Sequence, residues 1–193
     1  MLILSADTSL PLLSVALLRD DDLVAAVALE GKGSRNEKLL PAIDWVLAES
    51  GVDRRAVDLF AVTRGPGSFT GVRIGLATMQ GLALALGRPV CAMSTHAAVA
   101  PLAGEVTVVD DAGRGEYYVS YYSDGREVTP PHLAKSASGF TIAQFLRGGG
   151  NAAAGCARRA RAIALAGELD RYADVTPIYV RLAEAEVKLQ QKG

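Results

Sequence analysis

Three short stretches of this chain carry residue types that could do chemistry. Asp7-Thr8-Ser9 closes the first apolar run and sets a carboxylate beside two hydroxyls. Such a carboxylate can position a metal-bound water next to a phosphate, and it can equally cap a strand turn. Arg64-Gly65-Pro66-Gly67-Ser68-Phe69-Thr70-Gly71 stands where a strand-like run gives way to a helix-like one. Its backbone N–H groups could cradle a phosphate at the positive helix end. The loop lacks the Gly-Lys-Ser/Thr of a Walker motif, and Thr70 stands where a dinucleotide fingerprint needs glycine. Asp7, Gly65, Gly67 and Ser68 are therefore the candidate nucleotide-contacting residues, against the plainer reading of a loop that lets helix and sheet approach closely. The third stretch, Asp111-Ala112-Gly113-Arg114-Gly115-Glu116-Tyr117-Tyr118, combines charges with a turn, and the turn accounts for most of it.

Other chemistries are poorly served. His96 and His132 lie 36 residues apart, so the HxxxH spacing that aligns two imidazoles for a metal is absent. There is no GxSxG elbow, and Cys91, in an apolar strand-like run, reads as core rather than nucleophile. Cys91 and Cys156 form no CxxC pair, which argues against a disulfide framework or zinc site and for a reduced, cytoplasmic setting. The 193 residues carry 20 Lys and Arg against 21 Asp and Glu, a net charge of -1, which disfavours a chain that grips nucleic acid alone. Arg158, Arg159 and Arg161 read as a solvated helix face. Half the residues are hydrophobic, enough for a proper core. The longest charge-free apolar stretch, Ile74 to Gly87, is 14 residues, short of a bilayer span, and no signal peptide is expected at the start.

The elements that must position these residues follow from periodicity. Leu2 to Ser9, Leu12 to Arg19 and Leu23 to Glu30 predict three consecutive strands, turned by Asp20-Asp21-Asp22. Glu37 to Ser50 predicts an amphipathic helix with Leu39, Leu40, Ile43, Val46 and Leu47 on one stripe, Pro41 in its first turn and Gly51 as its stop. Asp58 to Thr63 and Pro89 to Met93 read as strands on either side of a helix over Val72 to Leu86. The βββαβαβ order is that of one half of an actin-like or ribonuclease-H-like α/β domain. Beyond residue 101 the texture restarts: Val106 to Asp110 and Tyr117 to Tyr122 are strand-like, while Phe140 to Leu146 and Arg158 to Ala166 look helical. The expected organisation is a lobe over 1–101, a smaller lobe over 102–178, and a C-terminal helix over 179–193 returning to the first lobe.

The helix after the loop is unusual. Gly71, Gly75, Ala77, Thr78, Gly81, Ala83 and Ala85 leave little side chain on much of its circumference. Each interior glycine costs roughly 1 kcal/mol relative to alanine, so the pattern needs a reason. Burial within the fold is one; a helix–helix interface with a partner chain, through Ile74, Ala77, Thr78, Gly81 and Ala85, is the other.

Taken in order, LILSADTS, GPGSFTGVRIG, DAGRGEYY and PIYVRLAEAE resemble the TsaB (YeaZ-like) family along almost the whole chain, GPGSFTGxRIG being the specific element. The resemblance implies a two-lobed actin-like fold with mixed sheets flanked by helices, of the acetate-kinase, sugar-kinase and Hsp70 type. It implies a non-catalytic subunit that pairs with the catalytic paralogue TsaD and works with the ATPase TsaE. Together they make threonylcarbamoyladenosine at adenosine 37 of tRNAs reading codons that begin with A. The partner surface would be a helical bundle, here matched by Glu37 to Ser50 and Val72 to Leu86, with Leu39, Ile43, Ile74, Ala77, Thr78, Gly81 and Ala85 in contact and Arg73 as polar anchor. No cofactor would be required of this chain, weak ATP or ADP binding aside, tRNA would be met through the complex, and homodimers would form when the partner is missing. Two departures stand out: Arg35-Asn36 replaces the usual His-Ser before the first helix, and the second lobe is compact. The competing enzyme reading is a small actin-like ATPase or phosphotransferase using Asp7 and the Gly65–Gly71 loop; a peptidase fares worst, having neither metal pair nor nucleophile.

Overall fold

A computed structural model describes residues 1–30, 35–136, 143–145 and 151–180. β1 (Leu2–Asp7), β2 (Leu12–Arg19) and β3 (Asp22–Glu30) form an antiparallel meander. At its first turn Asp20 adopts φ 52°, a conformation that a short polar side chain tolerates, and its carboxylate receives the N-terminal ammonium at 2.7 Å. β4 (Leu59–Thr63) and β5 (Val90–Met93) then add in parallel to give the order β3-β2-β1-β4-β5. This mixed five-stranded sheet, crossed by helices between its parallel strands, is the ribonuclease-H-like half of an actin-like fold.

β1 is central and buried on both faces, so its residues alternate between two cores. Leu4 and Ala6 face α1 (Arg35–Glu49) and α2 (Phe69–Leu86), joining Ile43, Val46, Phe60, Val62, Leu76 and Met79. Ile3 belongs to the opposite core, with Cys91, Met93, Val108, Tyr122, Cys156 and Ala157. That face is covered by α4 (Ala152–Leu165), which packs on β1, β2 and β4. Alanines and Gly155 allow it: a Cβ on Gly155 would lie 1.9 Å from the carbonyl oxygen of Ala98, in the short helix α3 (Thr95–Val99).

The second sheet, β8-β7-β6-β9, is built from β6 (Glu105–Gly113), β7 (Glu116–Ser123), β8 (Arg126–Ala134) and β9 (Ala143–Phe145). Its inner side chains Val106, Val108 and Tyr122 share the α4 core with the first sheet.

Several sequence expectations need correcting. α1 begins at Arg35, so Pro41 falls in the second turn and forgoes a bond to the Glu37 carbonyl. The run Phe140 to Leu146 is not a helix at 143–145 but the strand β9, parallel to β6; a short apolar run cannot be told apart by periodicity, and pairing with β6 decides it. β8, α3 and the first half of α4 were not foreseen. β8 holds Pro130 and Pro131, which an edge strand tolerates, and Ala152 to Ala157 is too uniformly small to show a polar face. α2 starts at Phe69 and is, among the described residues, the one helix long and apolar enough to cross a bilayer; it lies instead along β1, β4 and β5. The helix expected over 179–193 lies outside the described residues from 181 onward.

Candidate functional site

Asp7 ends β1 fully buried. Its carboxylate accepts from the hydroxyls of Ser9 and Thr63 and from the backbone N–H groups of Ser9, at 3.2 Å, and Leu10, at 3.4 Å. With the Ser9 hydroxyl donating to Asp7, the Thr95 hydroxyl completes the chain by donating to Ser9 Oγ over 2.7 Å. Burial pushes the Asp7 pKa up, and the four hydrogen bonds oppose that rise. The group ties together the β1 turn, β4 and α3, and its acceptor capacity is largely taken by protein donors.

The glycine loop closes on the same turn. Ser68 N–H donates to the Ser9 carbonyl at 2.8 Å, and the Ser68 hydroxyl caps Gly71 N–H at 3.2 Å. A Cβ on Gly67 would stand 2.5 Å from the Ser9 carbonyl oxygen, one on Gly71 2.0 Å from that of Thr8, and one on Gly75 2.4 Å from Thr8 Oγ1. Thr8 Oγ1 itself donates to the Gly71 carbonyl at 2.6 Å. Asp7, Gly67 and Ser68 thus meet at Ser9, whereas Gly65 lies against Ile178 and its carbonyl accepts from Thr95 N–H at 2.8 Å.

The outer side of α2 is different. Arg73, Ala77, Gly81 and Ala85 are exposed and Ile74 and Thr78 half-buried, while Val72, Gly75, Leu76, Met79 and Ala83 face the core. Leu84 is 82% exposed, and a Cβ on Gly81 would meet nothing within 4 Å among the described residues. Leu39 and Ile43 of α1, expected at a partner surface, are instead buried in the core; their apolar stripe is the side that packs on the sheet. Leu40 and Trp45 are the large apolar side chains that α1 leaves exposed among its described residues. Trp45 is legible in the sequence as a large apolar side chain among the helix's polar positions.

Arg73, expected as a polar anchor for a partner, is engaged within the chain. Its guanidinium lies 4.0 Å over the Phe69 ring, its Nε donates to Tyr179 Oη at 2.8 Å, and the Phe69 and Tyr179 rings stack at 4.8 Å. Sequence reasoning missed Phe69 and Tyr179, which are separated by 110 residues and meet only because residues 173–179 cross the loop, Ile178 N–H donating to the Arg64 carbonyl at 2.7 Å.

The remaining titratable groups are structural. His96 is buried with Nδ1 2.7 Å from Ser120 Oγ, and burial pushes its pKa down to about 4. His132 lies on β8 beside the Pro130 carbonyl. Burial raises the Cys91 thiol to about 12 and raises Cys156 as well. Asp110, near the end of β6, is lifted to about 6, mainly by burial, with Asp111 and Asp7 adding to it. In the β6–β7 turn Arg114 takes φ 62° and Gly113 N–H donates to Asp111 at 2.7 Å, so that stretch is a hairpin. No group of three His, Cys, Asp or Glu that could hold a metal ion occurs among the described residues.

Comparison with known proteins agrees with this architecture. A sequence model of the family described as TsaD, tRNA N6-adenosine threonylcarbamoyltransferase, matches residues 33–176. The tRNA threonylcarbamoyladenosine biosynthesis protein TsaB of Haemophilus influenzae is 40% identical over 124 residues, 61% of this chain and 52% of that protein. The TsaB of Bacillus subtilis is 33% identical over 126 residues, 63% of this chain and 55% of that protein. The chain thus spans about half the length of the curated relatives it matches. A crystal structure of a Pseudomonas aeruginosa protein with similarity to peptidase YeaZ superposes with a TM-score of 0.80 at 27% identity, over 93% of this chain and 99% of that one. The chain belongs to the TsaD family and, within it, to the TsaB, or YeaZ-like, members.

Proposed function

We propose that this chain is a non-catalytic companion subunit in the formation of threonylcarbamoyladenosine on tRNA, and that it binds a TsaD-like catalytic paralogue through the outer face of α2 and the adjoining side of α1. The observation that carries the reading is the split within α2. Gly71 and Gly75 answer to contacts inside the chain, whereas Gly81 meets none among the described residues and Ala77, Ala85 and Leu84 are exposed. A small-residue face beside an exposed leucine suits a second helix at close range. On this reading Arg73, Ile74, Ala77, Thr78, Gly81 and Ala85 line the contact, and Leu40 and Trp45 take the place of the buried Leu39 and Ile43. The modified position is adenosine 37 of tRNAs reading codons that begin with A; a TsaE-like ATPase joins the complex, tRNA is met through it, and the setting is cytoplasmic. The same face self-associates when the paralogue is missing.

The hydrogen bonds of Ser9 and Thr63 to Asp7 Oδ1, with Leu10 N–H at 3.4 Å from Oδ2, support a carboxylate with a structural role over one that activates water. The deciding experiment mixes this chain with the TsaD-like paralogue of the same genome. Modification of tRNA that depends on the chain, with a heterodimer mass in light scattering that Gly81→Leu abolishes, is the expected result. Steady ATP hydrolysis by the chain alone, lost in Asp7→Asn, would replace this reading with a phosphotransferase.

A further inference from the structure

A cavity of about 690 Å³ lies where the end of β5, the C-terminal half of α4 and the β7–β8 turn meet. None of Asp7, Gly65, Gly67 or Ser68 lines it, and neither does any residue of α2. The volume falls within the range of small-molecule sites. Met93, Leu102, Ile163 and Tyr172 give it an apolar wall, and Arg64 and Arg159 bring cations to it.

Arg159 is the unexpected member. Sequence placed it on a solvated helix face, yet it is 8% exposed, because α4 turns it toward the second sheet. Its NH1 donates to the Gly125 carbonyl, and its NH2 to those of Ala100, at 2.9 Å, and Pro101, at 3.4 Å. No carboxylate pairs with it among the described residues. Glu127, on the same wall, is engaged by the Tyr122 hydroxyl at 2.9 Å and that of Ser94 at 3.4 Å. Arg159 Nε is buried with no partner, and so is Nε of Arg64, which reaches the cavity from the end of β4. Burial pushes the Arg159 pKa down, and the nearby Tyr122, Tyr172, Cys156 and Glu127 oppose that fall. An arginine needed only to tie Ala100 and Gly125 in place would require no cavity beside it.

We propose that this cavity binds a small organic anion, its carboxylate or phosphate held by Arg159 and Arg64 and its apolar body lying against Met93, Leu102, Ile163 and Tyr172. Arg126 and Arg171 also line the cavity with Asp124, Glu127 and Glu168; Arg171 pairs with Glu168 at 3.4 Å and the Arg64 Nη1 with Asp174 at 3.0 Å, so two of the four arginines already have a carboxylate partner and Arg64 offers its Nε alone. That balance suits a monoanion or dianion and disfavours a polyphosphate. A bare ion would leave the apolar wall wet, and a neutral ring would leave the donors unpaired, so both parts of the ligand are needed.

The test is thermal shift and calorimetry on the full chain with four probes: phenyl phosphate, benzoate, inorganic phosphate and neutral benzamide. At 10 mM, phenyl phosphate or benzoate is expected to raise the Tm by about 3 °C or more, and the other two by less than about 0.5 °C. Arg159→Gln should abolish the shift. Since Arg159 also holds backbone carbonyls, Ala162→Trp provides a second variant: Ala162 is an exposed α4 residue lining the cavity, and the indole fills the space while leaving those ties intact. It should keep the unliganded Tm near the parent value and lose the shift. The proposal is overturned if neither organic anion shifts the Tm, if inorganic phosphate or benzamide does so equally, or if Ala162→Trp responds like the parent chain.

Discussion

The two halves of α2 use the same residue for opposite ends. In the first half, Gly71 and Gly75 vanish into the fold, because the helix rests on Thr8 with no room for a methyl group. In the second half, Gly81 faces open space, and neighbouring Leu84 is 82% exposed. One glycine pattern therefore has two settings, and among the described residues only the first glycines are in close contact. A helix that weakens itself at an exposed position without internal gain points outward for its reason.

Substitution separates the halves. The largest effect is expected at Gly71→Ala, where the new Cβ would lie 2.0 Å from a backbone carbonyl that has no freedom to retreat. A loss of about 3 kcal/mol, read as a Tm lower by about 10 °C, is the expected outcome, and an unchanged Tm would mean that α2 is not seated on β1 as described. At Gly81→Ala the sign reverses: the isolated chain should gain about 1 kcal/mol from helix propensity while its affinity for the TsaD-like paralogue falls. A variant both more stable and equally well paired would remove Gly81 from the contact. The smallest effect is expected at Tyr179→Phe, which keeps the ring stack on Phe69 and removes the bond from Arg73; about 0.5 kcal/mol in denaturant titration is the scale for an exposed pair.

Titration distinguishes two other regions, the His96 and Asp110 environments. His96 has a folded pKa of about 4, below the ordinary 6.5, so the unfolded chain takes up the proton first and stability falls as pH drops from 6.5 toward 4. Asp110 is raised to about 6, so between 6 and the ordinary 3.8 the folded chain holds the extra proton and stability rises as pH drops. The two oppose each other over nearly the same window. Asp110→Asn should uncover a loss of stability on acidification to pH 4.5, and His96→Gln should uncover a gain; parallel profiles for both variants would show that these groups do not titrate as assigned.

How much was legible in the sequence follows from how local each signal is. The meander, α1, β4 and β5 announce themselves through short-range periodicity and turn residues, and all of them form. β8 and the start of α4 carry no such signal: one is polar and proline-bearing, the other a run of small residues, and each is fixed by the sheet it joins. Of the α1 stripe, Leu39, Ile43, Val46 and Leu47 pack on the sheet as one face, but Leu40, assigned to the same stripe, is 46% exposed, because the sheet beneath sets where the edge of that face falls. The Arg73–Tyr179 contact and the inward turn of Arg159 depend on pairs 106 residues apart and on a cavity between elements, neither of which any window on the sequence contains.

The outer strands of the two sheets bear on how the chain behaves when it is concentrated. β8 is blunted for edge-to-edge growth by Arg126, Glu127, Pro130 and Pro131, whereas β3 runs Leu23-Val-Ala-Ala-Val-Ala-Leu29 with charges only at its ends. If this protein polymerises on storage or overexpression, the first sheet is where strands from different copies would join, and a lysine at the exposed Ala28 is the gatekeeper that would keep it in solution.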